Sequence, residues 1–104
     1  MKGYQKKYLK GLAHGLKPTV VVGQKGAVPS VIKAVDEALD KHELIKVKFV
    51  EFKEKSQKQE IAGTLERETS AEQVAMIGHM AILYRQQKDS GKRKIKVPVR
   101  KEDT

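Results

Sequence analysis

The first hydrophobic pattern along the chain has the period of a helix. Residues 4–16 place apolar side chains on one side at about 100° per residue, and these are Leu9, Leu12, Ala13 and Leu16. Pro18 disfavours helical backbone at the residue before it, so the helix should close there. Residues 19–22 are short, apolar and β-branched, which predicts a buried strand.

A second helix and a second strand follow with clearer patterns. Residues 28–42 carry a helical apolar stripe, and Pro29 is tolerated in a first turn, where its missing N–H costs nothing. Over residues 44–52 apolar side chains alternate with lysines, which predicts a strand with one buried face. Residues 54–68 are mostly polar and predict a third helix, which Gly63 weakens.

Residues 71–84 allow two interpretations. Ser70 with Gln73 could form a capping box that opens a fourth helix. Alternatively, residues 74–77 and 80–84 are two strands joined around Gly78 and His79. Propensity does not choose between them, because Ala, Met and Leu favour helix whereas Val, Ile and Tyr favour strand.

The size and composition of the chain narrow the class of protein. A length of 104 residues suits one compact domain. The sequence contains no run of 18 or more apolar residues, so we expect no membrane span. We also expect no secretory signal, because the start lacks an apolar stretch with a cleavage site. The absence of cysteine excludes disulfides, thiolate catalysis and Cys-based zinc sites, and it is compatible with a cytoplasmic location.

The net charge of +9 is unevenly distributed along the chain. Residues 1–33 carry +7 with no acidic side chain, residues 34–84 carry −3, and residues 85–104 carry +5. Two basic ends around an acidic middle indicate a polyanionic partner, nucleic acid before a membrane surface. The alternative is a lysine-rich surface that serves solubility alone.

Residues 23–26 read Gly-Gln-Lys-Gly and lie between the first strand and the second helix. Glycines without a Cβ let backbone approach another molecule, and a helix N-terminus offers unpaired N–H groups to a phosphate. KH domains clamp nucleotide backbone with such a G-x-x-G loop. The plain alternative is a tight strand-to-helix turn.

Four basic side chains recur at spacings of three and four residues opposite the leucines of the first helix. At helical spacing they form one stripe that could hold phosphates, and they are Lys7, Lys10, His14 and Lys17. An ordinary solvated helix face is the alternative for this stripe.

Several separated motifs together resemble the YhbY family, the bacterial stand-alone form of the CRM domain. They lie at residues 9–18, 20–26, 36–39, 42–47, 77–79 and 83–85, and the resemblance covers about residues 4–98. It implies a single α+β domain with the order α-β-α-β-α-β-β. A small mixed four-stranded sheet would pack with three helices, as in the C-terminal domain of translation initiation factor three. Residues 71–84 then contain a hairpin rather than a helix.

The resemblance also implies the domain limits. The domain would cover residues 1–98, and residues 99–104 would form a mobile C-terminal tail. The segment from Gln86 onward is basic and poorly patterned, so we expect mobility there too, with residues 95–97 as a candidate edge strand before Pro98.

The function that the resemblance implies is RNA binding without catalysis. Family members associate with precursors of the large ribosomal subunit, so the expected partner is 23S rRNA precursor, bound by a cytoplasmic monomer without cofactor or metal. The expected RNA-binding residues are Gly23, Gln24, Lys25, Gly26, Lys7, Lys10, His14, Lys17 and Arg85, with the amides of residues 24–28 holding a phosphate. The family's loop often carries more than one basic residue, whereas here Gln24 leaves Lys25 as the one charged position.

Three other functions stay open from the sequence. Asp36 and Asp40 lie one helical turn apart and could hold Mg²⁺ in a small RNA-processing nuclease, although such acids are usually a wet helix face. The basic surface could dock on ribosomal proteins as an adaptor. A duplex-DNA binder is the third alternative, but no helix-turn-helix stands out.

Overall fold

The computed structural model describes residues 1–103. Its helices and strands alternate before a final hairpin, in the order α1 (Gly3–Ala13), β1 (Val20–Val22), α2 (Pro29–His42), β2 (Leu44–Phe49), α3 (Lys55–Thr69), β3 (Glu72–Ile77) and β4 (Met80–Tyr84). Two short 3₁₀ turns follow at Ser90–Lys92 and Lys101–Asp103. The α+β order that the resemblance implies is confirmed.

The four strands form one mixed sheet in the order β1-β2-β4-β3. β1 pairs parallel with β2, so the α2 crossover joins two neighbouring strands, while β4 pairs antiparallel with both β2 and β3. The first strand is short, and its central Val21 is exposed.

Helices cover both faces of the sheet. On one face α2 and α3 bury side chains such as Leu39 and Leu65 against Val47, Phe49 and Leu83. On the other face α1 packs its apolar side onto the sheet, in a cluster of Leu9, Ala13, Leu44, Val74, Ile82 and Tyr84. The alternation of strand residues therefore divides the core into two halves, as the period of two requires.

The sheet has two distinct ends, which carry different chemistry. We call the end where β1 and β2 finish the loop end, because the 23–26 loop and the β3–β4 turn lie there. We call the other the ion-pair end, where Leu44 pairs with Tyr84 and the chain passes on to Arg85. The two ends are separated by the full length of β2.

The hairpin interpretation of residues 71–84 is confirmed, and the capping-box helix is wrong. Ile77 pairs with Met80 across a two-residue turn. Gly78 has φ +57 at the first central position, which is the type II′ pattern that matches the twist of a hairpin. Ser70 instead ends α3 in the left-handed region at φ +61.

The first helix ends three residues earlier than its pattern predicts. Ala13 is the last helical residue, His14 caps the helix, and the N–H of Leu16 bonds to the carbonyl of Ala13 in a turn. The side-chain ammonium of Lys46 on β2 donates to the carbonyls of His14 and Leu16, at 3.2 and 3.0 Å. Lys46 thus gives these carbonyls a donor that the helix itself does not provide, and it links the end of α1 to the sheet.

The exposed edge of β3 is irregular. A register shift between Gln73 and Ala75 places a bulge there. The N–H of Gln73 donates to the side chain of Glu66 on α3, at 2.9 Å, so one edge amide already has a partner. The other edge strand, β1, is three residues long.

The segment after β4 is packed rather than loose, contrary to the expectation from its sequence. Ile95 and Val97 lie against the α1 half of the core, although they form no strand. The carboxylate of Glu43 accepts bonds from the N–H groups of Gln87, Lys94 and Ile95 at 2.6 to 3.0 Å. Further on, the guanidinium of Arg100 lies 4.1 Å from the centre of the Tyr4 ring. The expected mobile tail, residues 99–104, extends to Thr104, which lies outside the described residues.

Candidate nucleic-acid interface

The 23–26 loop is a tight turn that projects its two central side chains into solvent. The N–H of Gly26 donates to the carbonyl of Gly23 at 3.0 Å, which closes the turn. Gln24 and Lys25 are exposed, whereas Gly26 is buried. The loop therefore presents a basic tip while its second glycine fastens it to the domain.

Some amides that the sequence assigned to a phosphate are used inside the loop. Besides Gly26, the N–H of Val28 is occupied, since it bonds to the carbonyl of Gly26 at 2.9 Å. Among residues 24–30, the N–H groups for which the structure shows no hydrogen-bond partner are those of Gln24, Lys25, Ala27 and Ser30. The predicted 24–28 donor set is thus corrected to four groups, one of which belongs to the first turn of α2.

The two glycines of the loop have different structural reasons. Gly26 adopts φ +69, a conformation that is costly for any residue with a Cβ. Gly23 lies outside the left-handed region, and a Cβ added there would meet no atom within 4 Å. The fold therefore requires the glycine at position 26 but leaves open space beside position 23.

Basic side chains of α1 and its cap lie on the side of the helix opposite Leu12. Leu12 lines a groove with Leu44 and Ile95 at the ion-pair end. At 100° per residue, Lys10 and His14 project about 160° away from Leu12, toward the loop end. Lys7 lies about 140° from Leu12 and within about 20° of His14 around the helix axis, and it is exposed.

Lys17 does not continue this stripe. It follows the end of α1 and lines the same groove as Leu12, at the start of β1. The predicted four-residue stripe is therefore wrong for Lys17, because the helical spacing on which it rests stops at the cap, His14.

Arg85 lies at the ion-pair end, away from the loop. Its guanidinium donates to the side chains of Asp36 and Asp40, at 2.6 and 2.8 Å, and to the carbonyls of Asp36 and Thr69. The side chain is 15 % exposed. It joins β4 to α2 and to the end of α3, and so four of its donor contacts are structural.

The same contacts account for the two aspartates that suggested a metal site. Asp36 and Asp40 share Arg85 as their cationic partner. Over the described part of the chain, no group of three or more His, Asp or Glu side chains could hold a metal ion. Nor is any helix in residues 1–103 long and apolar enough to cross a membrane.

Sequence reasoning overlooked Glu43, a residue that is 1 % exposed. Burial opposes ionisation, but the three backbone N–H bonds and Arg93 together hold the pKa of Glu43 below its ordinary value. Glu43 also stands at φ +63, where helices usually place glycine. A glutamate in a backbone conformation that favours glycine is the signal that could have identified Glu43. That signal becomes visible only when the end of α2 is known.

The fold and the loop define a class: a three-layer domain with a glycine-flanked turn opening its second helix. The family model of the CRS1 / YhbY (CRM) domain matches residues 1–85. The chain therefore belongs to the CRS1/YhbY family, as the resemblance in its motifs implies.

Three relatives illustrate the match. A Haemophilus influenzae protein named "RNA-binding protein" is 45% identical over 94 residues, which are 90% of this chain and 91% of that one. "Probable RNA-binding protein YqeI" of Bacillus subtilis is 35% identical over 88 residues, 85% of this chain and 91% of its own. The solution structure of a hypothetical Staphylococcus aureus protein superposes with a TM-score of 0.78 at 35% identity, covering 92% of this chain and 99% of that one.

Proposed function

We propose that this protein binds RNA through the 23–26 loop and the basic side of α1. The observation that carries the proposal is the exposed turn, whose partnerless N–H groups lie beside the ammonium of Lys25. Such donors at a helix N-terminus suit a phosphate oxygen. Membership of a family whose named relatives are RNA-binding proteins supports RNA over other polyanions.

The contacts divide between the loop and the helix. Gln24 and Lys25 would hold one phosphate between the two glycines of the loop, and Lys7, Lys10 and His14 would hold neighbouring ones. We leave out Lys17 and Arg85. Lys17 lines the groove at the ion-pair end, and the guanidinium of Arg85 already donates to the carboxylates of Asp36 and Asp40. Phosphate contacts of this kind supply affinity and position but little sequence discrimination.

The partner we propose is precursor 23S rRNA in the assembling large ribosomal subunit, bound in the cytoplasm by a monomer that acts without catalysis. The net charge of +9 would draw the protein to a large polyanion. Crosslinking in cells, followed by mapping of the crosslinked nucleotides, tests this partner. Crosslinks confined to other RNAs would contradict the ribosomal assignment while leaving RNA binding intact.

The binding surface is tested by reversing two of its charges. In Lys10→Glu with Lys25→Glu we expect RNA affinity to fall about tenfold or more, because two phosphate contacts become repulsive. The slope of log affinity against log salt should lose about 1.4 for a single-stranded RNA. Titration of a fluorescent RNA at several salt concentrations measures both quantities.

A matched control reverses the same number of charges elsewhere. Lys41→Glu with Lys88→Glu has the same net charge, but both positions are exposed and lie near the ion-pair end. We expect this control to retain most of the salt slope. Equal losses in the two double variants would show that net charge alone drives binding, and an unchanged affinity in the first would refute the proposed surface.

A further inference from the structure

One row of side chains crosses the whole sheet on the α1 face. Val21 pairs with Lys48, Lys48 pairs with Met80, and Met80 pairs with Ile77. Directly paired residues point to the same face of a sheet. The four strands therefore contribute one residue each to a continuous line, which we call the loop-end row.

The loop-end row is left uncovered, unlike the other rows of this face. The next row contains Ile82, which is 1 % exposed beneath α1. In contrast, Val21 is 54 % and Ile77 is 48 % exposed, Lys48 is exposed, and Met80 is half-buried. Exposed apolar side chains scattered singly are ordinary, but here they align across neighbouring strands.

The surroundings of the row are basic and hydrogen-bonding. On one side lie Lys10 and His14, which project from α1 toward it. On the other side lies the 23–26 loop, since Val21 is two residues before Gly23. Four strands at about 4.8 Å spacing give the row a length of about 14 Å, several times the 3.4 Å rise of stacked nucleotides.

We propose that the loop-end row is the seat for the bases of single-stranded RNA, with phosphates held by Lys48, by α1 and by the loop. This inference rests on the proposed function and names the form of RNA that the same site takes. Unpaired bases can lay apolar faces on Val21, Met80 and Ile77, whereas a duplex hides those faces in its own stack. The row carries no aromatic ring, so the contact is aliphatic and tolerates any base.

The charge of the surroundings is why RNA is the occupant. A protein partner for a bare apolar line would need a matching apolar patch, but this line has a lysine at its centre and basic groups on its α1 side. A strand of RNA offers apolar bases and anionic phosphates at alternate positions, which fits that mixture.

The test compares two probes that share phosphates and differ in bases: an unstructured RNA of about 12 nucleotides and an abasic strand of equal length. The variant is Val21→Thr with Ile77→Thr, since threonine keeps the branched shape and strand preference. We expect its affinity for the RNA to fall about fivefold with an unchanged salt slope. Its affinity for the abasic strand should stay at the wild-type value.

Two further variants complete the test. Val99→Thr changes an exposed valine outside the row and should leave both affinities unchanged. Lys48→Met removes only a charge, and it should lower the salt slope by about 0.7 on both probes.

The outcomes separate this inference from the proposed function. If the wild-type protein prefers RNA to the abasic strand and the double threonine variant loses that preference, the inference holds. Equal wild-type binding of both probes, or a threonine variant that keeps the preference, overturns the row while phosphate binding survives. Failure of the wild type to bind either probe overturns both proposals. A duplex of the same RNA is titrated as well, and tighter binding of the duplex than of the single strand overturns the row.

Discussion

The two ends of the sheet use charged residues in opposite ways. At the ion-pair end, the guanidinium of Arg85 meets two carboxylates, and the carboxylate of Glu43 meets three backbone amides. At the loop end, Lys25 projects from an exposed turn and Lys48 stands on an open sheet face. The paired charges at the ion-pair end hold together α2, α3, β4 and the segment of residues 87–95. The charges exposed to solvent at the loop end are available to a ligand.

This difference corrects a common assumption about basic proteins. A positive residue near the end of a strand, such as Arg85, reads in sequence like any other phosphate contact. Its neighbours in space decide its role, because a guanidinium with structural acceptors loses them if it turns to bind RNA. Counting lysines and arginines therefore overestimates the binding surface.

The largest effect should come from Glu43. We expect Glu43→Gln to lower the free energy of unfolding by about 3 kcal/mol, since a buried amide cannot accept all three N–H bonds. The depressed pKa also makes this stabilisation pH-dependent: it is complete above the ordinary value of 4.5 and is lost as pH falls through the lower folded-state value. Urea unfolding of wild type and variant between about pH 7 and pH 3 measures both effects.

The exposed Glu37 provides the control for this prediction. Its carboxylate lies 4.0 Å from the ammonium of Lys33 with most of its surface in solvent, so Glu37→Gln should change stability by less than about 0.5 kcal/mol. The expected sequence of events in acid is release of residues 87–95 before global unfolding, which hydrogen exchange at Lys94 and Ile95 would detect. Retained protection of those amides in Glu43→Gln would contradict the assigned role.

Arg85 should give the next largest effect. Arg85→Met keeps an unbranched apolar stem but leaves the carbonyl of Thr69 without this partner, so we expect a loss of about 2 kcal/mol. RNA affinity should be unchanged at a temperature where the variant is folded. A salt slope reduced by about 0.7 in this variant would instead place Arg85 on the RNA.

Substitutions at the two loop glycines should give the smallest effects, one on stability and the other on RNA affinity. Gly26→Ala forces a Cβ into φ +69 and should cost about 1 kcal/mol of stability. Gly23→Ala should leave stability unchanged or slightly higher, because space is open there and the unfolded chain loses freedom. Its RNA affinity should nevertheless fall severalfold if a phosphate approaches that backbone. Wild-type affinity in Gly23→Ala would show that the ligand stays clear of position 23.

Much of the fold could be predicted because its elements carry their own patterns. The stripe of residues 28–42 matches α2 almost to the residue, since Pro29 and the apolar spacing agree with each other. Residues 71–84 resisted propensity because strand pairing, not local preference, decides them, and only the family resemblance chose the hairpin. The packing of Ile95 and Val97 was unpredictable from their neighbourhood, because the residue that holds this connector, Glu43, is about fifty positions away.

The site was predictable in part for the same reason. The loop and its exposed tip follow from residues 23–26 alone, but which amides remain available depends on the turn that closes. The end of α1 at Ala13 removed Lys17 from the stripe, and the carbonyls just after that end bond to Lys46 on a distant strand. The loop-end row could not be recognised at all from sequence, because its residues become neighbours only through the register of four strands.

The bulge at Gln73 and Ala75 has a consequence for how copies of the molecule meet. An intact border strand would offer another copy a ladder to extend, which leads to polymers. Here the side chain of Glu66 already accepts a bond from the N–H of Gln73, and the bulge shifts the register of the residues that follow. The opposite edge strand, β1, has three residues. We therefore expect the protein to remain unassociated at high concentration. The loop-end row should then stay exposed to solvent until a nucleic acid binds.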